Sequence, residues 1–69
     1  MIKKVREVIA LLEMNGWRFV RERGDHKIYK KDGYIRSVTV PGKMSEDVQK
    51  PLYHSILKQA GLDNLINNR

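Results

Sequence analysis

Apolar residues fall in two helical stripes separated by three extended stretches. Val5, Val8, Ile9 and Leu12 recur at i, i+3, i+4 and i+7, the period that gathers them on one side of an amphipathic helix. Asn15-Gly16 ends that helix, because Gly accepts the left-handed conformation common at helix C-termini. Trp17 to Arg23 alternates imperfectly and predicts a first strand. Arg23-Gly24-Asp25 is a turn signal, and a second strand runs from it through Lys31. Asp32-Gly33 predicts a two-residue hairpin. Tyr34 to Val40, rich in β-branched residues, predicts a third strand, which Pro41-Gly42 ends because Pro cannot continue the ladder.

Lys43 to Lys50 is polar and predicts a loop or a single helical turn, with Ser45 a cap ahead of Glu46 and Asp47. Pro51 suits the first turn of a final helix, whose buried side is Leu52, Tyr53, Ile56, Leu57 and Ala60 and whose stop is Gly61. Asp63 to Arg69 reads as a frayed tail. The predicted order is αβββα, an α+β fold with one domain over residues 1–62 and a flexible C-terminal tail over 63–69. Two helices packed on one face of a three-stranded antiparallel sheet would leave the other face open to a partner.

Length and composition narrow the functions available. A domain of 69 residues buries only about 60% of its unfolded surface and has little room for a deep pocket. Catalysis on an open surface favours a polymeric substrate over a small metabolite. With no cysteine, disulfides and thiolate zinc sites are excluded. Charges interrupt the N-terminal segment, no signal peptide is visible, and no stretch approaches the ~20 apolar residues of a spanning helix. The expectation is a cytoplasmic protein.

The distribution of charge says more than its total. Between Trp17 and Arg36, seven cations (Arg18, Arg21, Arg23, Lys27, Lys30, Lys31, Arg36) face three carboxylates, which places +4 of the net +6 in one stretch. Such a field attracts nucleic acid or anionic lipid; on charge alone it is equally a solvated surface. Within it Gly24-Asp25-His26 delivers a histidine, whose ordinary pKa allows proton exchange near neutral pH. Strand alternation leaves two orientations. If Ile28 faces the core, His26 does too; if Tyr29 is the core residue, His26 faces out, the orientation favoured here. His54, between Tyr53 and Leu57 on the final helix, reads as a solvent-facing residue. Trp17 reads as a core plug, and Tyr29 and Tyr34 serve base stacking or hairpin packing equally well.

Gly16-Trp17, Arg21, Gly24-Asp25-His26, Asp32-Gly33, Val38-Thr39-Val40-Pro41 and Ser55-Ile56-Leu57-Lys58-Gln59-Ala60-Gly61-Leu62 occur in that order. The pattern, over roughly residues 3–62, resembles the HicA (YcfA-like) family of toxin ribonucleases. The resemblance implies a double-stranded-RNA-binding-domain-like αβββα fold, cleavage of mRNA, a neutralising HicB antitoxin partner and a catalytic role for His26. Three departures stand out. Asp25 replaces the usual Ser beside the histidine, where a carboxylate would raise the His26 pKa and orient the ring. Gly42-Lys43 stands where the family often has a second His. Pro51-Leu52 replaces a Gly-Thr pair and removes a hydroxyl cap.

RNA can be cut without a metal or other cofactor, because its 2′-OH can attack the adjacent phosphorus once a general base takes the proton. The expected assignment makes His26 that base, with Arg21, Arg23, Lys27, Lys30 and Lys43 holding RNA and stabilising charge on the phosphoryl oxygens. DNA lacks the 2′-OH and would need a carboxylate–histidine metal cluster, for which the spacing offers nothing. The competing readings are a non-catalytic double-stranded-RNA-binding module and a small protein whose basic surface docks an acidic partner.

Overall fold

The apolar stripe of the first helix is also what closes the core. In the computed structural model, which describes residues 3–65, the chain begins with a two-residue strand β1 (Lys3–Lys4) and enters helix α1 (Val5–Met14). Val5, Val8, Ile9 and Leu12 are buried along it, as their spacing predicts. The Glu7 carboxylate accepts the Lys4 backbone N–H at 2.7 Å. That is half of a capping box, since a lysine side chain has no acceptor to return the bond. The remaining N-terminal amides are met from a distance: Val5 N–H donates to the Glu46 carbonyl at 2.8 Å and Arg6 N–H to that of Met44 at 3.1 Å.

Helix α1 ends in a Schellman motif that aims the next residue inward. Gly16 takes φ +91°, its N–H donates to the Glu13 carbonyl, and Trp17 N–H donates to that of Leu12. The reversal drives Trp17 into the core, where it is 1% exposed. Three antiparallel strands follow: β2 (Arg18–Arg23), β3 (His26–Lys30) and β4 (Val38–Pro41), in the spatial order β2-β3-β4. A second two-residue strand, β5 (Asp47–Val48), pairs antiparallel with β1, and the Lys4 ammonium lies 2.6 Å from the Asp47 carboxylate. Helix α2 (Lys50–Gln59), with Pro51 in its first turn, ends in the same bond pattern, Gly61 N–H to Lys58 and Leu62 N–H to Leu57. A 3₁₀ turn covers Asp63–Leu65. That turn occupies the start of the expected 63–69 tail, and residues 66–69 lie outside the described residues.

Both helices lie on one face of the sheet. Their buried residues, Val5, Val8, Ile9, Leu12, Ile56 and Ala60, form one cluster with Trp17, Tyr29, Val38, Val40 and Val48. The α+β architecture and the αβββα order therefore stand as predicted. No helix among the described residues is long and apolar enough to cross a membrane.

Two local predictions are met only in part. Asp32-Gly33 does form a two-residue turn, but the third strand starts at Val38 rather than Tyr34, so the turn does not join paired strands directly. The turn is closed by Tyr34 N–H, which donates to the Lys31 carbonyl at 3.1 Å, but beyond it the chain leaves the ladder until Val38. The detour places the Tyr34 ring 5.1 Å from that of Trp17 and its hydroxyl against Gly61. The Lys31 ammonium sits 5.3 Å from the Tyr34 ring centre, within cation–π range. Between Lys43 and Lys50 the loop alternative holds through Glu46, followed by the two-residue β5; no helical turn forms, Ser45 caps nothing, and α2 begins after Gln49 with no side-chain cap.

Leu12→Ala should cost about 2–5 kcal/mol, because Leu12 is fully buried. Ile35→Ala, at a residue 98% exposed, should change stability by less than about 0.5 kcal/mol. Urea unfolding of the two variants checks the contrast, and similar losses would contradict the core assigned here.

Candidate functional site

Strand register decides which side chains share a face, because directly paired residues in an antiparallel ladder point the same way. Tyr29 pairs with Val38, and Lys27 with Val40. Since Tyr29, Val38 and Val40 are all buried, this is the inner face, and His26, Ile28 and Lys30 belong to the outer one. His26 is therefore exposed on the face away from the helices, paired with Pro41 on one side and Arg23 on the other. The turn before it, Gly24-Asp25, has Gly24 at φ +56° with no other positive φ, the Gly-first arrangement of a type II′ hairpin.

A β-bulge explains the imperfect alternation of the first strand. Phe19 pairs with Tyr29 and Arg21 with Ile28, so Val20 is an extra residue with no partner. The bulge inverts the alternation. Before it, Arg18 faces out with Lys30 while Phe19 turns in, its ring 5.8 Å from that of Tyr29. Past it, Arg21 and Arg23 face out and Glu22 turns in, opposite Lys27. Strict alternation would have put Arg21 and Arg23 on the same side as Phe19.

The outer face thus gathers Arg21, Arg23, His26 and Lys30 from the residues expected in the site. It also brings Arg18 and Thr39, which the sequence reading did not single out. Thr39 pairs with Ile28 at the centre of this face. The Arg18 guanidinium lies 3.3 Å from the Asp32 carboxylate, an exposed pair open to solvent. The irregularity of the Trp17–Arg23 pattern was the signal that could have recruited Arg18.

Lys27 is not part of this surface. Its ammonium donates to the Gly42 carbonyl at 2.8 Å and lies 3.6 Å from the Glu22 carboxylate, with the side chain 12% exposed. Lys43 is exposed on the segment leaving β4, two residues beyond the Pro41 that pairs with His26. Gly42 N–H donates to the Asp25 carbonyl at 3.0 Å, which ties that segment to the hairpin turn. The Asp25 carboxylate makes no hydrogen bond to His26. His54 is half-buried on α2, its ring 6.0 Å from that of Tyr53. The sheet separates it from His26. Among the described residues, no three of His, Cys, Asp and Glu are grouped as a metal site.

The rings of Trp17, Phe19, Tyr29 and Tyr34 are not on this face. Trp17 and Tyr29 are buried, Phe19 lies on the inner side and Tyr34 packs on Trp17. The Tyr29 hydroxyl is pushed up from its ordinary pKa of 10.0, first by burial and then by the carboxylates of Glu13 and Glu22. What the outer face offers is guanidinium and ammonium groups, a hydroxyl and an imidazole, a set suited to phosphate.

The comparisons with known proteins give the family and the fold. The family model described as the HicA toxin of bacterial toxin–antitoxin systems matches residues 5–62. Among solved structures, a chain of a toxin–antitoxin complex from Streptococcus pneumoniae superposes with a TM-score of 0.73 at 32% identity, covering 86% of this chain and 97% of that one. No curated protein matches.

The Tyr29 shift gives a signed prediction. A hydroxyl whose pKa is higher in the folded state than in the unfolded one stabilises the fold fully below the ordinary value of 10.0, and that contribution is lost as pH rises through the folded-state value. The parent should therefore lose melting temperature more steeply than Tyr29→Phe as pH rises from 10.0 toward the folded-state value, because Phe has no proton to lose. Parallel pH profiles for the two proteins would contradict the burial of this hydroxyl.

Proposed function

This chain belongs to the HicA toxins of bacterial toxin–antitoxin systems, and we propose that it is a metal-independent endoribonuclease that cuts mRNA in the cytoplasm. His26 is the general base: it takes the proton from a ribose 2′-OH, whose oxygen attacks the adjacent phosphorus. Arg21, Arg23, Lys30 and Lys43 hold the RNA backbone and stabilise the charge that grows on the phosphoryl oxygens, and the leaving 5′-oxygen takes a proton from water. The products are a 2′,3′-cyclic phosphate and a 5′-hydroxyl. The observation that carries this reading is the exposed His26 among outward-facing arginines on the sheet face the helices leave bare.

With no aromatic side chain on that face, binding depends on phosphate contacts, which position RNA without reading its sequence. A HicB-like antitoxin is the protein partner, and it need only present carboxylates to compete for the same surface. The structure of the similar Streptococcus pneumoniae chain comes from a toxin–antitoxin complex, which supports such a partner.

Purified protein should cut single-stranded RNA, and a 2′-deoxy substitution at the cleavage site should abolish the cut there. His26→Ala should slow cleavage by roughly 10²- to 10⁴-fold, whereas His54→Ala should stay within about twofold of the parent, given a structural role on α2. A His26→Ala protein that cuts as fast as the parent ends the mechanism. Binding by the parent without cleavage would favour the double-stranded-RNA-binding module instead. Arg21→Ala should lower the slope of log affinity against log salt by about one unit, as expected for one lost phosphate contact.

A further inference from the structure

We infer that Lys27 is a positioning residue, holding the segment after β4 so that Lys43 stands at the His26 end of the outer face; this rests on the RNA-cleavage reading above. Both backbone polar groups of Gly42 are gripped by the β2–β3 hairpin. Its N–H donates to the Asp25 carbonyl at 3.0 Å, and its carbonyl accepts from the Lys27 ammonium at 2.8 Å. That carbonyl belongs to the peptide unit that carries the Lys43 nitrogen, so Lys27 acts one bond from the backbone of Lys43.

The far end of the segment is anchored as well. Glu46 N–H donates to the Lys43 carbonyl at 2.9 Å, and the carbonyls of Met44 and Glu46 accept from the first turn of α1. Lys43 therefore rises from a short turn fixed to the hairpin on one side and to helix α1 on the other. The charge of Lys27 is met by Glu22 on the inner side of the sheet, so it adds little to the outer field. Its worth lies in the bond to the Gly42 carbonyl, which water would otherwise make. An ammonium this enclosed has given up side-chain freedom that a lysine contacting RNA from solvent would keep.

The test is a double-mutant cycle of Lys27→Met and Lys43→Ala, read by RNA cleavage and by binding to uncleavable 2′-O-methyl RNA. Met keeps the unbranched stem and loses the donor. Lys27→Met should lower kcat roughly ten- to hundredfold through misplacement, with KM little changed. Where Lys43 is already Ala, the same change should cost less than about twofold, because coupled residues do not add. The salt slope of binding should be unaltered by Lys27→Met and reduced by about one unit by Lys43→Ala. Should Lys27→Met fail to fold, Lys27→Leu, which likewise has no donor, takes its place in the cycle. Coupling to Lys43 supports the role. Additive losses, or a salt slope lowered at position 27, overturn it and leave the cleavage reading standing. A parent that neither cleaves nor binds RNA overturns the cleavage reading, and this role with it.

Discussion

The extra residue at Val20 is the constraint on which the outer surface depends. A strand that alternated strictly from Arg18 to Arg23 could not turn Phe19 inward beside Tyr29 and still present Arg21 and Arg23 outward. Inserting one unpaired residue between Phe19 and Arg21 satisfies both demands. Bulges add local twist and re-aim side chains, and here the re-aimed ones are two guanidinium groups next to an exposed histidine. The same shift places Glu22 opposite Lys27, so the one enclosed cation of the sheet has a carboxylate beside it. An ammonium enclosed without such partners would be costly.

Around that sheet, backbone bonds at element ends do much of the positioning. The Schellman motif at the end of α1 turns Trp17 into the core, and Trp17 in turn gives Tyr34 a surface to pack on. Tyr34 reaches Gly61, where the same motif ends α2. Three elements distant in sequence thus meet at one corner. At the opposite corner, carbonyls of the 43–46 turn satisfy the first amides of α1, and Gly42 joins that turn to the hairpin. A chain with so small a core relies on such ties, since few apolar contacts are available to order its loops.

Much of this was legible in one dimension. The stripe Val5, Val8, Ile9 and Leu12 and the stops at Gly16 and Gly61 depend on neighbours within a few residues, and they fold as their pattern predicts. The αβββα order follows from the same local signals. The missed features are those that distant partners decide. Asp32-Gly33 makes its tight turn, but Tyr34 then packs on Trp17 and the ladder resumes only at Val38. The β1–β5 pair joins residues more than forty positions apart, and neither strand has a pattern of its own to announce it.

For the candidate site the division is similar. By itself the sequence determined that a histidine follows a Gly turn within a stretch carrying most of the net positive charge, and the order of its motifs pointed to the HicA toxins. Alternation reduced the His26 orientation to two choices and could go no further, because Ile28 and Tyr29 are both credible core residues. Only the tertiary structure chose Tyr29, since the helices bury one face of the sheet and Val38 and Val40 lie opposite it there. Only the tertiary structure separated Lys27 from Arg21, Arg23 and Lys30. The physical reason is that charge is a property of residues, whereas a charged face is a property of register. One unpaired valine moves two arginines to the histidine's side.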